Sequence, residues 1–219
     1  KNVVPTALKL LGQDPLKAFD VVCEKFVRGI PRDIICVPLL KINERHGFIY
    51  GSGAIVNALD AYYQRKARKS RAIRTGLGVV WRETLGRLSP WRNPSIFRRF
   101  DATMEFRDQD GLMQYSAMDR FNAIIASSLR EVHPLLRLTY RAGERLECFH
   151  GLGLNNGFWR TSLNLPSMVV GAPMVGAVQD VVTNRLVIRY KQPMRHTIDG
   201  ELYDATQLGN HNFGAACFR

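Results

Sequence analysis

The tripeptide Asp199-Gly200-Glu201 places two carboxylates on either side of a glycine, directly after the basic run NRLVIRYKQPMRH. Those residue types at that spacing could do acid–base chemistry. Gly200 permits a tight turn, and the turn presents Glu201 sharply. Cationic neighbours keep its carboxylate ionised, and an ionised carboxylate within hydrogen-bond reach of a hydroxyl can take its proton. The same tripeptide also suits a solvated hairpin, because Asp-Gly is a favoured turn dipeptide. Taken alone, it leaves both readings open.

A second candidate is the basic segment YYQRKARKSRAIRTG, in which Tyr62 and Tyr63 precede Arg65, Lys66, Arg68 and Lys69. Cations beside aromatic residues suit an anionic leaflet, where each cation near the surface adds about 1 kcal/mol. The two tyrosines could settle at headgroup level. A solvated helix face that keeps the protein soluble is the plainer alternative. The formal net charge of +12 favours an anionic partner, whether nucleic acid, acidic lipid or a phosphorylated small molecule, and does not choose among them.

Other residues offer less. The glycines of ECFHGLGLNNGFWR lack the strand–G-x-G-x-x-G–helix context of a dinucleotide site, and Asn155-Asn156-Gly157 reads as a turn. His150 reads as a packing residue, and Ser127, Ser128 and Ser162 lie near no evident base. The five histidines show no His-x-x-x-His spacing. The four cysteines, Cys23, Cys36, Cys148 and Cys217, form no Cys-x-x-Cys clip and read as free buried thiols in a reducing cytosol.

The elements that must hold these residues change character along the chain. GQDPLKAFDVVCEKFVRGI predicts a helix: Asp14 is a good N-cap, Pro15 suits the first helical position, and Leu16, Phe19, Cys23, Phe26 and Val27 share a face. Gly29 can adopt the left-handed conformation that ends it. VVPTALKLL upstream reads as a shorter helix. RDIICVPLLKI and GFIYGSG read as strands joined by the turn NERHG, with Pro38 marking an edge or a bulge. An apolar stripe of Ile55, Leu59, Tyr62 and Tyr63 predicts helix, and SPWRNPSIFRRF reads as a proline-broken connector.

From Asp101 onward short apolar or alternating runs are separated by Gly, Pro and Asn. DATMEFRDQDGLMQYSA carries the hairpin signal Asp110-Gly111, and FNAIIASSL, LLRLTYRA, RLECFHGLGL, SLNLPSMVVG and NRLVIRYKQP come after it. Strands at this spacing predict a sandwich or barrel. The expected fold class is α+β. A helical remnant over residues 1–32 stands in front of a mainly antiparallel β domain over 33–219, with a helical insertion at about 54–99. No apolar run reaches the ~18 residues of a membrane-spanning helix. KNVVPTALKLLGQDP lacks the form of a signal peptide and opens in mid-pattern, so a longer protein is expected.

The order of these segments resembles the diacylglycerol kinase and sphingosine kinase-like lipid kinase family. KNVVPTALKLLGQDPLKAF is similar to the stretch after the family's Gly-Gly-Asp-Gly-Thr nucleotide loop, where an Asn closes the motif and a helix leads to a G-x-D-P-x-x-A step. HGFIYGSGAIVNALDAYY resembles its Phe-x-x-x-x-Gly-x-Gly segment, and LNLPSMVVGAPM sits where it has a central sandwich strand and loop. RLVIRYKQPMRHTIDGELY resembles the strand, turn and Asp-Gly-Glu that end its catalytic region. The likeness runs from Asn2 to about Tyr203.

The resemblance implies a two-domain kinase with ATP in an α/β nucleotide-binding domain, of which residues 1–32 are the remnant, a lipid under the antiparallel β-sandwich of residues 33–219, and the site in the cleft between them. It matches Glu201 to the family's general base, with Asp199 beside it, and Asn2 to the nucleotide site. Asp180, the lone acid of GAVQDVVTN, stands where the family's metal-site loop lies and is matched to a Mg2+-linked ligand. The chain departs from the pattern in three places. The glycine-rich loop whose amides would cradle the phosphates is absent, so the chain as given is expected to be inactive. Val37-Pro38 stands where the family tends to carry an Asp, and QLGNHNFGAACFR does not resemble its closing strand.

The expected function is transfer of the γ-phosphate of ATP, with Mg2+, to a lipid hydroxyl such as that of diacylglycerol. The expected setting is a cytoplasmic, peripherally membrane-associated protein whose partners are the lipid substrate and an anionic membrane surface, with no specific nucleic acid. The alternative is a non-catalytic basic domain that binds acidic membranes or nucleic acid, supported by the charge and the thin metal-site match.

Overall fold

The computed structural model describes residues 38–66, 95–107, 110–115, 119–130, 137–145, 147–156, 158–204 and 210–216, with 20, 23–24 and 27–29 of the leading helix. Asn2, Arg68, Lys69 and the upstream VVPTALKLL segment lie outside the described residues, as do the side chains of Tyr62, Tyr63, Arg65 and Lys66. In the leading helix, Arg28 N–H donates to the Glu24 carbonyl at 3.0 Å and Gly29 takes φ +62°.

Two antiparallel sheets form a sandwich. The first has the order β2 (Arg45–Gly47), β1 (Leu39–Ile42), β13 (Asn210–Ala216), β10 (Arg185–Tyr190), β4 (Phe100–Arg107), β5 (Met113–Tyr115), and β6 (Asp119–Phe121) also pairs with β4. The second has the order β12 (Glu201–Tyr203), β11 (His196–Ile198), β3 (Ile49–Gly53), β7 (Ala123–Ser127), β8 (Phe149–Leu154), β9 (Ala177–Thr183). Alternation explains the strands. In β10, Leu186, Ile188 and Tyr190 turn inward while Arg185 and Arg189 stay exposed. With Leu40, Ile42, Tyr50, Phe100, Met104, Phe121, Ile124 and Phe149 they fill the space between the sheets. Each such side chain contributes about 1.5–3 kcal/mol over leaving it in water.

Sheet two carries a second apolar layer on its outer face. Ala123, Ile125, Leu152 and Leu154 point out of the sandwich and pack against Ala54 and Ile55 of α1 (Ala54–Lys66) and against Met168 and Met174. Met168 belongs to α3 (Leu165–Val170), which comes after the short α2 (Phe158–Leu163). The class is therefore α+β, mostly antiparallel strands with few helices. Among the described residues no helix is long and apolar enough to cross a membrane.

The chain passes between the sheets at two pinned corners. At Asn122, between β6 and β7, the backbone N–H donates to Leu154 and the carbonyl receives Ala54 N–H, which seats the start of α1. The Asn122 amide also binds the Asn156 backbone in both directions. At Phe48, between β2 and β3, the pin is the Asp199 carboxylate.

The structure differs from the sequence expectations at several elements. SLNLPSMVVG is α2 and α3, not a strand, and Pro166 occupies the first helical turn of α3. A short apolar run has no period by which to tell helix from strand. Residues 138–142 of the expected LLRLTYRA strand are turns, and GAVQDVVTN is edge strand β9 where a loop was expected. NERHG is mostly strand, with Asn43 (φ +52°) in the tight turn. Pro38 marks neither an edge nor a bulge: it precedes β1, an inner strand, where no ladder N–H is lost. The unfamiliar tail supplies β13, paired on both sides at the middle of sheet one. Cys23 and Cys148 are free thiols as expected, but neither is buried: Cys23 is exposed and Cys148 half-buried.

Candidate functional site

β11 and β12 pair as His196↔Tyr203, Thr197↔Leu202 and Ile198↔Glu201, which leaves Asp199 and Gly200 as a two-residue turn. Both take left-handed conformations, φ +51° and +88°. This geometry matches the right-handed twist of a hairpin, and Asp-Gly is a dipeptide that tolerates it. The hairpin reading of the tripeptide is thus correct, and it fixes where each carboxylate goes.

Asp199 turns back. Its Oδ1 accepts the backbone N–H groups of Phe48 and Ile49, each at 2.9 Å, and its own N–H donates to the Ile49 carbonyl at 2.9 Å. A methyl group on Gly47 would come within 2.4 Å of Ile198 Cγ2 and 3.0 Å of Asp199 Oδ2, so only glycine lets the corner close against the turn. Burial pushes the Asp199 carboxyl above its ordinary range, with the two N–H groups opposing. This carboxylate holds main chain, so it acts as a positioning residue.

Glu201 turns out. It is exposed at the first position of edge strand β12, and its Oε2 accepts the Tyr203 hydroxyl at 3.0 Å. Tyr203 belongs to a column of stacked groups. The Arg45 guanidinium lies 4.1 Å above its ring, and His196 stacks on it at 5.3 Å with an 18° interplanar angle. His196 in turn stacks on Tyr50 at 5.6 Å, and the Tyr50 and Tyr190 hydroxyls meet at 2.8 Å above Ser52. Burial first, and then Arg45, push the His196 imidazole below its ordinary pKa, which favours the neutral ring in the stack. A cavity of about 330 Å³ opens beside this column, bounded by the Asn43–Arg45 turn, His196, Tyr203 and Asp204. Arg195 ties the same hairpin to α1 through Asp60 and reaches Asp204 at 3.5 Å. The carboxylates that line this cavity are those of Glu44 and Asp204; Glu201 lies outside the lining and is joined to it through Tyr203, exposed where it could accept a proton from a hydroxyl brought within hydrogen-bond reach.

Asp180 lies elsewhere, on β9 at the opposite edge of sheet two. Tyr140 OH donates to Oδ2 at 2.6 Å, His150 Nε2 lies 2.9 Å from Oδ1, and Arg141 Nη1 reaches Oδ1 at 3.3 Å and the Asp180 carbonyl at 3.1 Å. An ionised carboxylate only accepts, so His150 Nε2 carries the hydrogen. Burial pushes this carboxyl up, but the bonds from His150, Tyr140 and Arg141 outweigh it and bring it down to about 2. Three protein donors occupy the oxygens a cation would need. Among the described residues no three His, Cys, Asp or Glu side chains converge on a possible metal position. The described residues therefore do not fit a Mg2+ site at Asp180.

Arg45, His196 and Tyr203 go unnoticed in the sequence. A signal is present, since an Asp-Gly turn fixes the register and forces His196 opposite Tyr203 beside Glu201. His150 is a packing residue as expected, fully buried against the Tyr140 ring at 5.3 Å.

No family model and no curated protein sequence matches the chain. Solved structures match in fold. A candidate diacylglycerol kinase from Bacillus anthracis str. Sterne superposes with a TM-score of 0.51 at 10% identity, covering 84% of this chain and 55% of that one. A diacylglycerol kinase structure from the same organism matches at 14% identity over 89% of this chain and 63% of that one, with a TM-score of 0.49. The chain thus spans little more than half the length of the first of these. Identity this low speaks for architecture alone, and at that level the two-sheet sandwich with its helical layer has the fold of the matched part of the first of these structures.

Proposed function

We propose that the chain is the lipid-covering part of an ATP-dependent lipid kinase of the diacylglycerol kinase type, in which Glu201 takes the proton of a lipid hydroxyl as that oxygen attacks the γ-phosphate. The observation that carries this reading is the state of the Glu201 carboxylate. It is exposed, its backbone is set by a two-residue hairpin, and Tyr203, its hydrogen-bond partner among the described residues, lines the cavity. Phosphoryl transfer asks for little covalent chemistry and for much positioning, so one well-held base suits it. Nucleotide binding belongs to Asn2 and to sequence before it, outside the described residues. The acceptor proposed is a diacylglycerol-like lipid alcohol presented by an anionic membrane to a peripherally bound protein.

The test uses the full-length protein, labelled ATP and vesicles containing diacylglycerol. Glu201→Gln should lower the rate at least ~100-fold, the scale of a positioned general base, with unfolding temperature unchanged. Normal lipid phosphorylation by this variant would remove the base assignment.

A non-catalytic reading has its own observation. A cleft of about 430 Å³ is lined by the cations Arg99, Arg120 and Lys191, with Asp101 3.6 Å from Arg120. Such a cleft suits an anion without any chemistry. Vesicle binding that weakens with salt, together with no phosphorylation by the full-length protein, would favour it.

A further inference from the structure

The helical hairpin α2–α3 is built inside out. Leu163, Val170 and Val175 are 79%, 65% and 74% exposed, and Leu165 and Val169 join them on the surface. Scattered apolar residues on a surface need no explanation, but a contiguous group confined to one small motif does. Its inner side holds the polar atoms. Asn164, 2% exposed, leaves α3 uncapped; its amide donates to the Val175 carbonyl at 2.8 Å and accepts Val175 N–H at 2.9 Å. Met168 and Met174 anchor the same hairpin in the apolar layer on sheet two. Val175 and Leu163 are thus held outward by a bidentate lock on a packed base, and their exposure is a fixed feature of the fold.

The charges around the patch indicate what covers it. No Asp or Glu occurs between Glu147 and Asp180, while Arg160 stands exposed on α2 and Arg137 packs beside Gly171 at the end of α3. Leucine and valine side chains rimmed by arginines match the boundary between acyl chains and anionic headgroups. The hairpin and α1 share one apolar cluster, so they form one layer on one face. The hairpin packs over β7 and β8, three and four strands from the β12 edge that carries Glu201.

We infer that the α2–α3 hairpin docks the protein on an anionic bilayer by inserting Leu163, Val169, Val170 and Val175 at the headgroup–acyl boundary. This rests on the membrane setting proposed above and names the surface that meets the bilayer; it does not pass through Glu201, so vesicle binding and lipid phosphorylation succeed or fail separately.

The experiment is co-sedimentation of the full-length protein with vesicles of phosphatidylcholine, with and without phosphatidylglycerol. The wild type should bind the phosphatidylglycerol vesicles. Leu163→Glu/Val170→Glu/Val175→Glu should weaken that binding at least about tenfold, because insertion affinity scales with buried apolar area. The matching triple serine variant should lose binding in the same direction with an unchanged unfolding temperature, which separates docking from misfolding. Arg160→Ala should weaken binding a few-fold on phosphatidylglycerol vesicles alone. Wild-type binding by both triple variants would overturn the proposal, and so would a wild type that ignores both vesicles. It would equally fall if sedimentation velocity showed a wild-type dimer that the variants dissolve, since a second copy would then be the occupant.

Discussion

The two edges of sheet two each carry an acidic side chain beside a histidine and a tyrosine, and the two are used in opposite ways. At β9, Asp180 is wrapped by Tyr140, Arg141 and His150, and its carboxyl is held down to about 2. At β12, Glu201 is exposed and receives Tyr203. The histidines differ as well: His150 bonds its aspartate directly, whereas His196 supports Tyr203 from behind by stacking. A carboxylate whose oxygens are filled by protein donors fastens a loop to a sheet. One held by its backbone, with oxygen to spare, is available to a ligand. Residue type alone does not distinguish the two; the donors around it do.

The largest effect expected at these edges is on stability at Asp180. Asp180→Ala strips the acceptor from a buried histidine, a tyrosine and an arginine together, and should cost about 3 kcal/mol in denaturant unfolding. Lipid phosphorylation per folded molecule should persist. If instead activity vanished while stability held, the division between the two edges would be wrong. The pH dependence sharpens the point. The folded carboxyl lies at about 2 against an ordinary 3.8, so the folded state favours the ionised form. Its stabilisation is fully present above the ordinary value and is lost as pH falls through about 2. Comparing wild type with Asp180→Asn between neutral pH and pH 2, the stability gap should narrow as the pH drops.

Asp199 lies between these extremes in effect. It is two residues from Glu201, yet its oxygen is filled by Phe48 and Ile49 N–H groups. Asp199→Ala should cost about 2 kcal/mol, because it leaves two backbone donors without an acceptor at the corner between sheets. Activity should fall with it, since the same turn carries Glu201. Asp199→Asn retains an acceptor oxygen and should recover most of both. Equal losses in the two variants would mean that the negative charge matters rather than the bonds to main chain.

How much of this is legible in the sequence depends on where the signals are local. The Asp-Gly turn, the alternation in β10 and the left-handed Gly29 are properties of a few consecutive residues, and they appear as expected. Strand β13 is illegible because NHNFGAA has neither alternation nor branched residues; its pairing with β1 and β10 makes it a strand. SLNLPSMVVG misleads because its leucines and valines face outward while only Met168 is buried, which reverses most of the inference from hydrophobicity to burial. The occupants of Asp180 come from Tyr140, Arg141 and His150, thirty to forty residues away, and no spacing rule links them. The metal reading of Asp180 rests on resemblance alone, and those donors displace it.

The smallest expected effect concerns how Glu201 is held. If the hairpin backbone does most of the positioning, the Tyr203 hydroxyl adds little. Tyr203→Phe keeps the ring between Arg45 and His196 and removes one exposed hydrogen bond, so the phosphorylation rate should fall only about threefold, with KM unchanged. Tyr203→Ala also removes the stacked ring and should cost roughly a further 1 kcal/mol of stability. A loss in the phenylalanine variant as deep as that in Glu201→Gln would place the hydroxyl in the reaction itself. Glu201 and Tyr203 would then work as a pair, and the openness of the β12 carboxylate would be a bond waiting to be exchanged for one to substrate.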